Sequence, residues 1–181
     1  NYQFVSADGM WRVNLTSNFI SLACTKYTCW EDFAKHLDKP LTAFIKIYQP
    51  AHFQRVGLRY LNFISRKALQ LQDVPFSQLI EPAYLGPLSE EDMPEHTVSR
   101  CNMDAEFAIR GGCRAKIHAG IGIVKANGKT DNEVRFILFM AGNVPINHSA
   151  GALETLHSQA YAIFRGAITD TLYNALEPTS I

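Results

Sequence analysis

Tyr2-Gln3-Phe4-Val5-Ser6-Ala7-Asp8-Gly9-Met10-Trp11-Arg12-Val13-Asn14-Leu15 reads as two short strands around a turn. An Asp-Gly pair between apolar alternations is a strong hairpin signal, because glycine accepts the left-handed backbone such turns need. In the second strand Trp11, Val13 and Leu15 share one face, and Arg12 and Asn14 the other. After Ser17-Asn18, the residues Ile20, Leu22 and Cys24 make an apolar row in a third strand. Thr28 and Glu31 stand at capping-box spacing, and Trp30, Phe33, Ala34, Leu37, Leu41, Phe44, Ile45 and Tyr48 then recur at helical period. Pro40 is expected to kink or divide that helix, and Pro50 to close it near Tyr48. The opening thus predicts a three-stranded meander with an amphipathic helix packed on it.

Residues 52–65 read as one long strand, in which Val56, Leu58, Tyr60, Asn62 and Ile64 alternate with Phe53, Arg55, Gly57, Arg59, Leu61 and Phe63. Apolar residues on both faces predict a central position for it. Periodicity fades over 66–95, where Pro75, Pro82, Pro87 and Pro94 fall, with one short helical turn expected near Phe76. A join of that length between two halves is the natural place for a ligand lid. The second half repeats the design, with strands expected at 97–109, 113–124 and 133–141. Its turns fall at Arg110-Gly111-Gly112 and near Gly128, while Gly120 and Gly122 suggest a close backbone approach. Leu153, Leu156, Ala160, Ile163, Phe164, Ala167, Ile168, Leu172, Ala175 and Leu176 hold a helical period to Glu177-Pro178, with Ser149 as the expected cap. The prediction is one α+β domain over 1–181, with pseudo-halves 1–65 and 96–181 joined by 66–95. Its antiparallel sheet has about seven strands, with both helices on one face.

With Lys+Arg 17 against Asp+Glu 17, the formal net charge is +0, so the surplus of cations that a duplex-binding protein uses to displace counterions is missing. A composition of 47% hydrophobic and 19% charged residues supports a real core and excludes a disordered chain. No run of about 18 apolar residues argues a membrane span, and no basic-then-apolar leader opens the chain, so a cytoplasmic protein is expected. Cys24, Cys29, Cys101 and Cys113 match no zinc-ligand spacing and read as reduced, mostly buried thiols. None of the histidines stands in a metal-binding pair, so neither metal nor cofactor is expected.

If the helices cover one face, the other gathers Arg12, Asn14, Arg55, Arg59, Asn102, Asp104, Glu106, Arg114, Lys116, His118 and Arg135. Asp104 and Glu106 at alternate positions put two carboxylates on one side about 7 Å apart, a separation at which they could share a water or cation, and His118 could lie on the neighbouring strand. These three are the candidate catalytic residues, and with Arg59 they would suit hydrolytic or phosphoryl-handling chemistry. Cross-strand ion pairs on a solvated sheet explain the same alternation. Arg55, Arg59, Asn62, Arg114 and Lys116 are the candidate ligand-binding residues, and Phe53 or Phe63 beside them could stack a single-stranded nucleic acid.

The strand His52-Phe53-Gln54-Arg55-Val56-Gly57-Leu58-Arg59-Tyr60-Leu61-Asn62-Phe63-Ile64 resembles one in a sporadically distributed family of uncharacterised prokaryotic proteins. So does the helix containing Phe164-Arg165-Gly166-Ala167-Ile168-Thr169-Asp170. Ile80-Glu81-Pro82-Ala83-Tyr84-Leu85-Gly86 and Tyr27-Thr28-Cys29-Trp30-Glu31-Asp32-Phe33 fit the same pattern. The resemblance implies a further N-terminal strand and helix ahead of Asn1, making this chain a partial view with an open sheet edge. It carries no activity or catalytic residue. The leading expectation is a non-catalytic binding or scaffold module for a protein partner or small ligand, without membrane contact and as a homodimer. A carboxylate-based enzyme and a nucleic-acid binder are the alternatives.

Overall fold

The structure, a computed structural model, describes residues 1–98, 100–109, 113–126, 129–145 and 151–177. The chain divides into two compact units, 1–53 and 54–181.

The first unit holds β1 (Tyr2–Val5), β2 (Trp11–Leu15) and β3 (Ile20–Cys24), an antiparallel sheet in the order β1-β2-β3, followed by α1 (Trp30–Tyr48). Gly9 takes the left-handed conformation at φ 71° that the Asp-Gly pair foretold. The register sets Phe4 opposite Val13 and Val13 opposite Leu22, with Tyr2, Leu15 and Ile20 in the neighbouring row. One face of this sheet is therefore apolar throughout. α1 begins after Cys29 rather than Thr28, without a side-chain cap. Pro40 does not divide it, and the helix runs 19 residues until Gln49 enters the left-handed region and donates its N–H to Ile45.

The second unit is a four-stranded antiparallel sheet in the order β4-β7-β6-β5, built from β4 (Arg55–Ile64), β5 (Asn102–Ala108), β6 (Arg114–Ala126) and β7 (Lys129–Pro145). Its core contains Ile64, Ile117, Ala119 and Phe136 from the sheet. Ala167, Ile168 and Leu172 come from α3 (Ala152–Ala167), α4 (Asp170–Ala175) and the link between these helices. The rest comes from 66–95, where two 3-10 turns and α2 (Pro82–Leu85) bury Phe76, Leu79, Ile80, Leu85 and Leu88. The segment read as a joining loop is thus part of the core, fastened at one end by Arg66. That guanidinium bonds the Val74 carbonyl at 3.0 Å and Glu95 at 2.9 Å, and lies 4.1 Å from the centroid of the Phe76 ring. Glu95 also accepts the Phe76 backbone N–H.

Three expectations are corrected. The single sheet of about seven strands is replaced by separate sheets of three and four strands. β4, the strand that would have bridged the halves, pairs along its whole length with β7, from Arg55 opposite Pro145 to Ile64 opposite Phe136. Among the described residues it is an edge strand and not a central one. Its second apolar row, Leu61 and Phe63, is 52% and 47% exposed and is not a buried face. Two helices on one face become four α-helices among the described residues, because α2 forms within 66–95 and the long C-terminal helix breaks at Ile168. There the backbone extends, Ile168 bridges to Ile80, Glu81 N–H donates to the Ala167 carbonyl, and Thr169 N–H donates to Leu79. Thr169 then caps α4 by accepting from Leu172 N–H. An uninterrupted helical period had concealed a residue that the core uses as a strand.

Gly120 stands opposite Asn102, and a Cβ there would collide with the Cys101 carbonyl oxygen, the close approach that its position in a strand suggested. Of the four thiols only Cys113 is buried, while Cys29 is exposed. Gly128, the 110–112 turn and Ser149 lie outside the described residues; α3 has Gly151 at its N-cap.

Because Phe76 is fully buried and packs against Phe136 at 5.9 Å between ring centroids, Phe76→Ala should cost about 3–5 kcal/mol in chemical denaturation. The loss should appear in the transition of the second unit.

Candidate functional site

β5 and β6 bring the sequence candidates together in part. The register sets Asp104 opposite His118, Glu106 opposite Lys116, and Ala108 opposite Arg114. Asp104 Oδ1 meets His118 Nδ1 at 2.9 Å, and Glu106 lies diagonally 3.6 Å from Arg114. Arg55 and Arg59 lie two strands away on β4, with Ala141 of β7 between Arg59 and Lys116 in the ladder. Asn62 belongs to the other row of β4, alternating with exposed Leu61 and Phe63. Arg135 stands opposite Gly122 in the β6–β7 ladder.

The proposed carboxylate pair is therefore two separate cross-strand pairs, Asp104 with His118 and Glu106 with Arg114. Asp104, Glu106 and Arg114 are exposed, and His118 is half-buried. Charges exposed to this degree are screened by solvent. No group of three or more His, Cys, Asp or Glu among the described residues is placed to hold a metal ion. The described residues also include no helix long and apolar enough to cross a membrane.

A concave site does exist in the first unit, where sequence reading placed none. Between the apolar face of its sheet and α1 lies a groove of about 630 Å³. Phe4, Trp11, Val13 and Leu22 line the sheet side, and Lys35, His36, Lys39, Pro40 and Ala43 the helix side. The helix contacts the sheet through aromatic rings at one end: Trp11 stacks on His36 at 3.9 Å with 10° between planes, and lies 5.9 Å from Phe33. His36 is held by the Asp32 carbonyl at 2.8 Å and its carboxylate at 3.4 Å. On β1, Phe4 in the groove lining is 59% exposed and its neighbour Tyr2 70%. The signal in the sequence was a short polar–cationic run, Lys35-His36 and Lys39, on the flank of an apolar helix face. Only the placement of that flank over Val13 and Leu22 turns it into a rim.

Asp8 sits in the turn that presents β1 and β2. The Ser6 hydroxyl, and after it the Met10 N–H at 2.9 Å, hold its carboxyl below the ordinary value of 3.8.

Comparison with protein-family models, with curated proteins and with solved structures finds no match. The resemblance carried by the β4 and α3 motifs has no matching family model behind it.

A carboxyl with a lowered folded pKa stabilises the turn above the unfolded value and ceases to do so as pH falls through the folded one. The amide resonances of Met10 and Trp11 should therefore shift with a midpoint below 3.8 in an NMR titration, and Asp8→Ala should abolish that step.

Proposed function

We propose that this chain is a non-catalytic binding module, with the groove of the first unit as its ligand surface. The observation that carries this reading is the groove itself: apolar side chains on a sheet face, left open beside a cationic helix flank. Ligand sites are commonly concave and mostly apolar, with a few polar groups that set orientation, and about 300–1,000 Å³ in volume. Lys35 and Lys39, one helical turn apart, supply the polar groups.

Hydrolytic or phosphoryl-handling chemistry on the four-stranded sheet has less support. Asp104 engages His118, Glu106 engages Arg114, and both acids compete for the donors an incoming phosphate would need. The same competition weighs against single-stranded nucleic acid on that face, although Phe63 and Arg59 could serve it. We place the module in the cytosol, where cysteines held outside disulfides are stable.

Two measurements test the reading. The aromatic sulfonate 8-anilinonaphthalene-1-sulfonate should bind saturably at one site and alter the emission of Trp11. Phe4→Glu, a change at an exposed position, should weaken it about tenfold, about 1.4 kcal/mol. Dye binding that ignores Phe4→Glu would remove the groove from consideration. Asp104→Asn should change stability by less than about 1 kcal/mol in chemical denaturation, as expected for a solvated cross-strand pair.

A further inference from the structure

β1 is an edge strand: among the described residues it pairs with β2 alone. The hydrogen-bond pattern shows which of its backbone groups are left over. Ser6 N–H donates to the Trp11 carbonyl at 3.0 Å, so Ser6 and Trp11 form a hydrogen-bonded pair. Antiparallel pairs alternate between bonded and non-bonded. Phe4 opposite Val13 and Tyr2 opposite Leu15 are then bonded, whereas Gln3 opposite Asn14 and Val5 opposite Arg12 point their N–H and C=O groups away from β2. The β3 side agrees, since Thr25 N–H bonds the Met10 carbonyl and Thr16 N–H bonds that of Phe19, leaving the odd-numbered residues of β2 for β1. Gln3 and Val5 thus offer a two-residue ladder to a further strand.

That edge carries none of the devices that discourage pairing. It has no proline, no lysine and no bulge, and Tyr2, Phe4 and Val5 are all exposed. The alternate residues of an added strand would lie beside Phe4 and Tyr2, on the face where the groove begins. Lys35 and Lys39 flank that groove, and among the described residues neither makes an ion pair or side-chain hydrogen bond. Asp32 and Asp8 are the acids near His36, and both are engaged, the first with His36 and the second within its own turn. A second copy paired through β1 would bring two such lysine pairs to the same interface. An acidic partner complements them instead.

From these groups, and resting on the groove being the ligand surface, we infer that the module binds by strand addition. Its partner is an extended segment of another protein that pairs with Gln3 and Val5, lays apolar side chains on Phe4, and sets a carboxylate on the same side against Lys35 and Lys39. Main-chain bonds supply affinity in such a complex, and the alternate side chains supply selectivity.

The probe is the peptide acetyl-Glu-Thr-Val-Thr-Val-Thr-Glu-amide, whose two valines and two glutamates share one face in either strand direction. Titrated calorimetrically into the full chain, it should bind one to one. Amide exchange at Gln3 and Val5 should slow on binding, while that of Phe4 stays as it was. Lys35→Glu with Lys39→Glu should weaken the peptide about tenfold, and exchanging its glutamates for lysines should restore the loss. Val5→Pro removes an outward N–H without touching the β1–β2 ladder, and should also weaken binding about tenfold. A peptide that fails while the naphthalene sulfonate still binds overturns strand addition and leaves the binding-module reading standing; failure of both removes both. Binding without slowed exchange at Gln3 and Val5 overturns the inference. So does self-association of the chain through β1 that the peptide cannot displace.

Discussion

The second unit depends on the burial of Phe76, Leu79 and Ile80 against a sheet that could not otherwise cover its apolar row. Ile64, Ile117, Ala119 and Phe136 come from three strands, and α3 and α4 meet only part of that surface. The 66–95 segment fills the rest, and it does so without regular structure longer than a turn. Its backbone polar groups are met by short-range bonds, by the Ile80–Ile168 bridge and by Glu95, which takes the Phe76 N–H and the Arg66 guanidinium together. A buried irregular segment needs such partners, because each unmet backbone group would cost as much as a lost hydrogen bond. The break between α3 and α4 follows from the same constraint: Ile168 leaves the helix to supply the bridge that Ile80 requires.

The first unit is organised by a different balance. Its strands are four and five residues long, and its helix touches the sheet through Trp11, Phe33 and His36 at one end. A sheet face apolar from Tyr2 to Leu22 and a helix that covers only part of it must leave a groove. The groove is chemically asymmetric because the flank of α1 that overhangs it is the cationic one. Trp30 is buried at the start of α1, whereas Ile45, Ile47 and Tyr48 toward its end remain exposed.

Much of this was legible in local pattern. The Asp-Gly hairpin, the meander, α1 and the alternation of β4 all follow from periods of two and 3.6 residues, which reflect backbone geometry and need no knowledge of partners. The cross-strand meeting of Asp104 with His118 was legible too, since hairpin register follows from the alternation on each strand. Legibility failed where a residue's role depends on something distant. Leu61 and Phe63 made β4 look central, but exposure depends on whether another layer exists, and apolar side chains are common on protein surfaces. Pro-rich spacing made 66–95 look like a connection, since nothing local distinguishes a loop over the surface from one wedged under a sheet.

Local pattern alone fixes the α+β class and the kind of most elements, because those depend on residues within a turn or a hairpin of one another, and composition alone fixes the neutral charge balance. Long-range contacts set the division of strands into sheets, the break at Ile168, the burial of 66–95 and the groove beneath Lys35 and Lys39. Each of these is a choice between partners of similar local propensity. Pairing Ile64 with Phe136, or Ile80 with Ile168, is rewarded only once the whole apolar surface is buried together, and that reward is not written in any one segment.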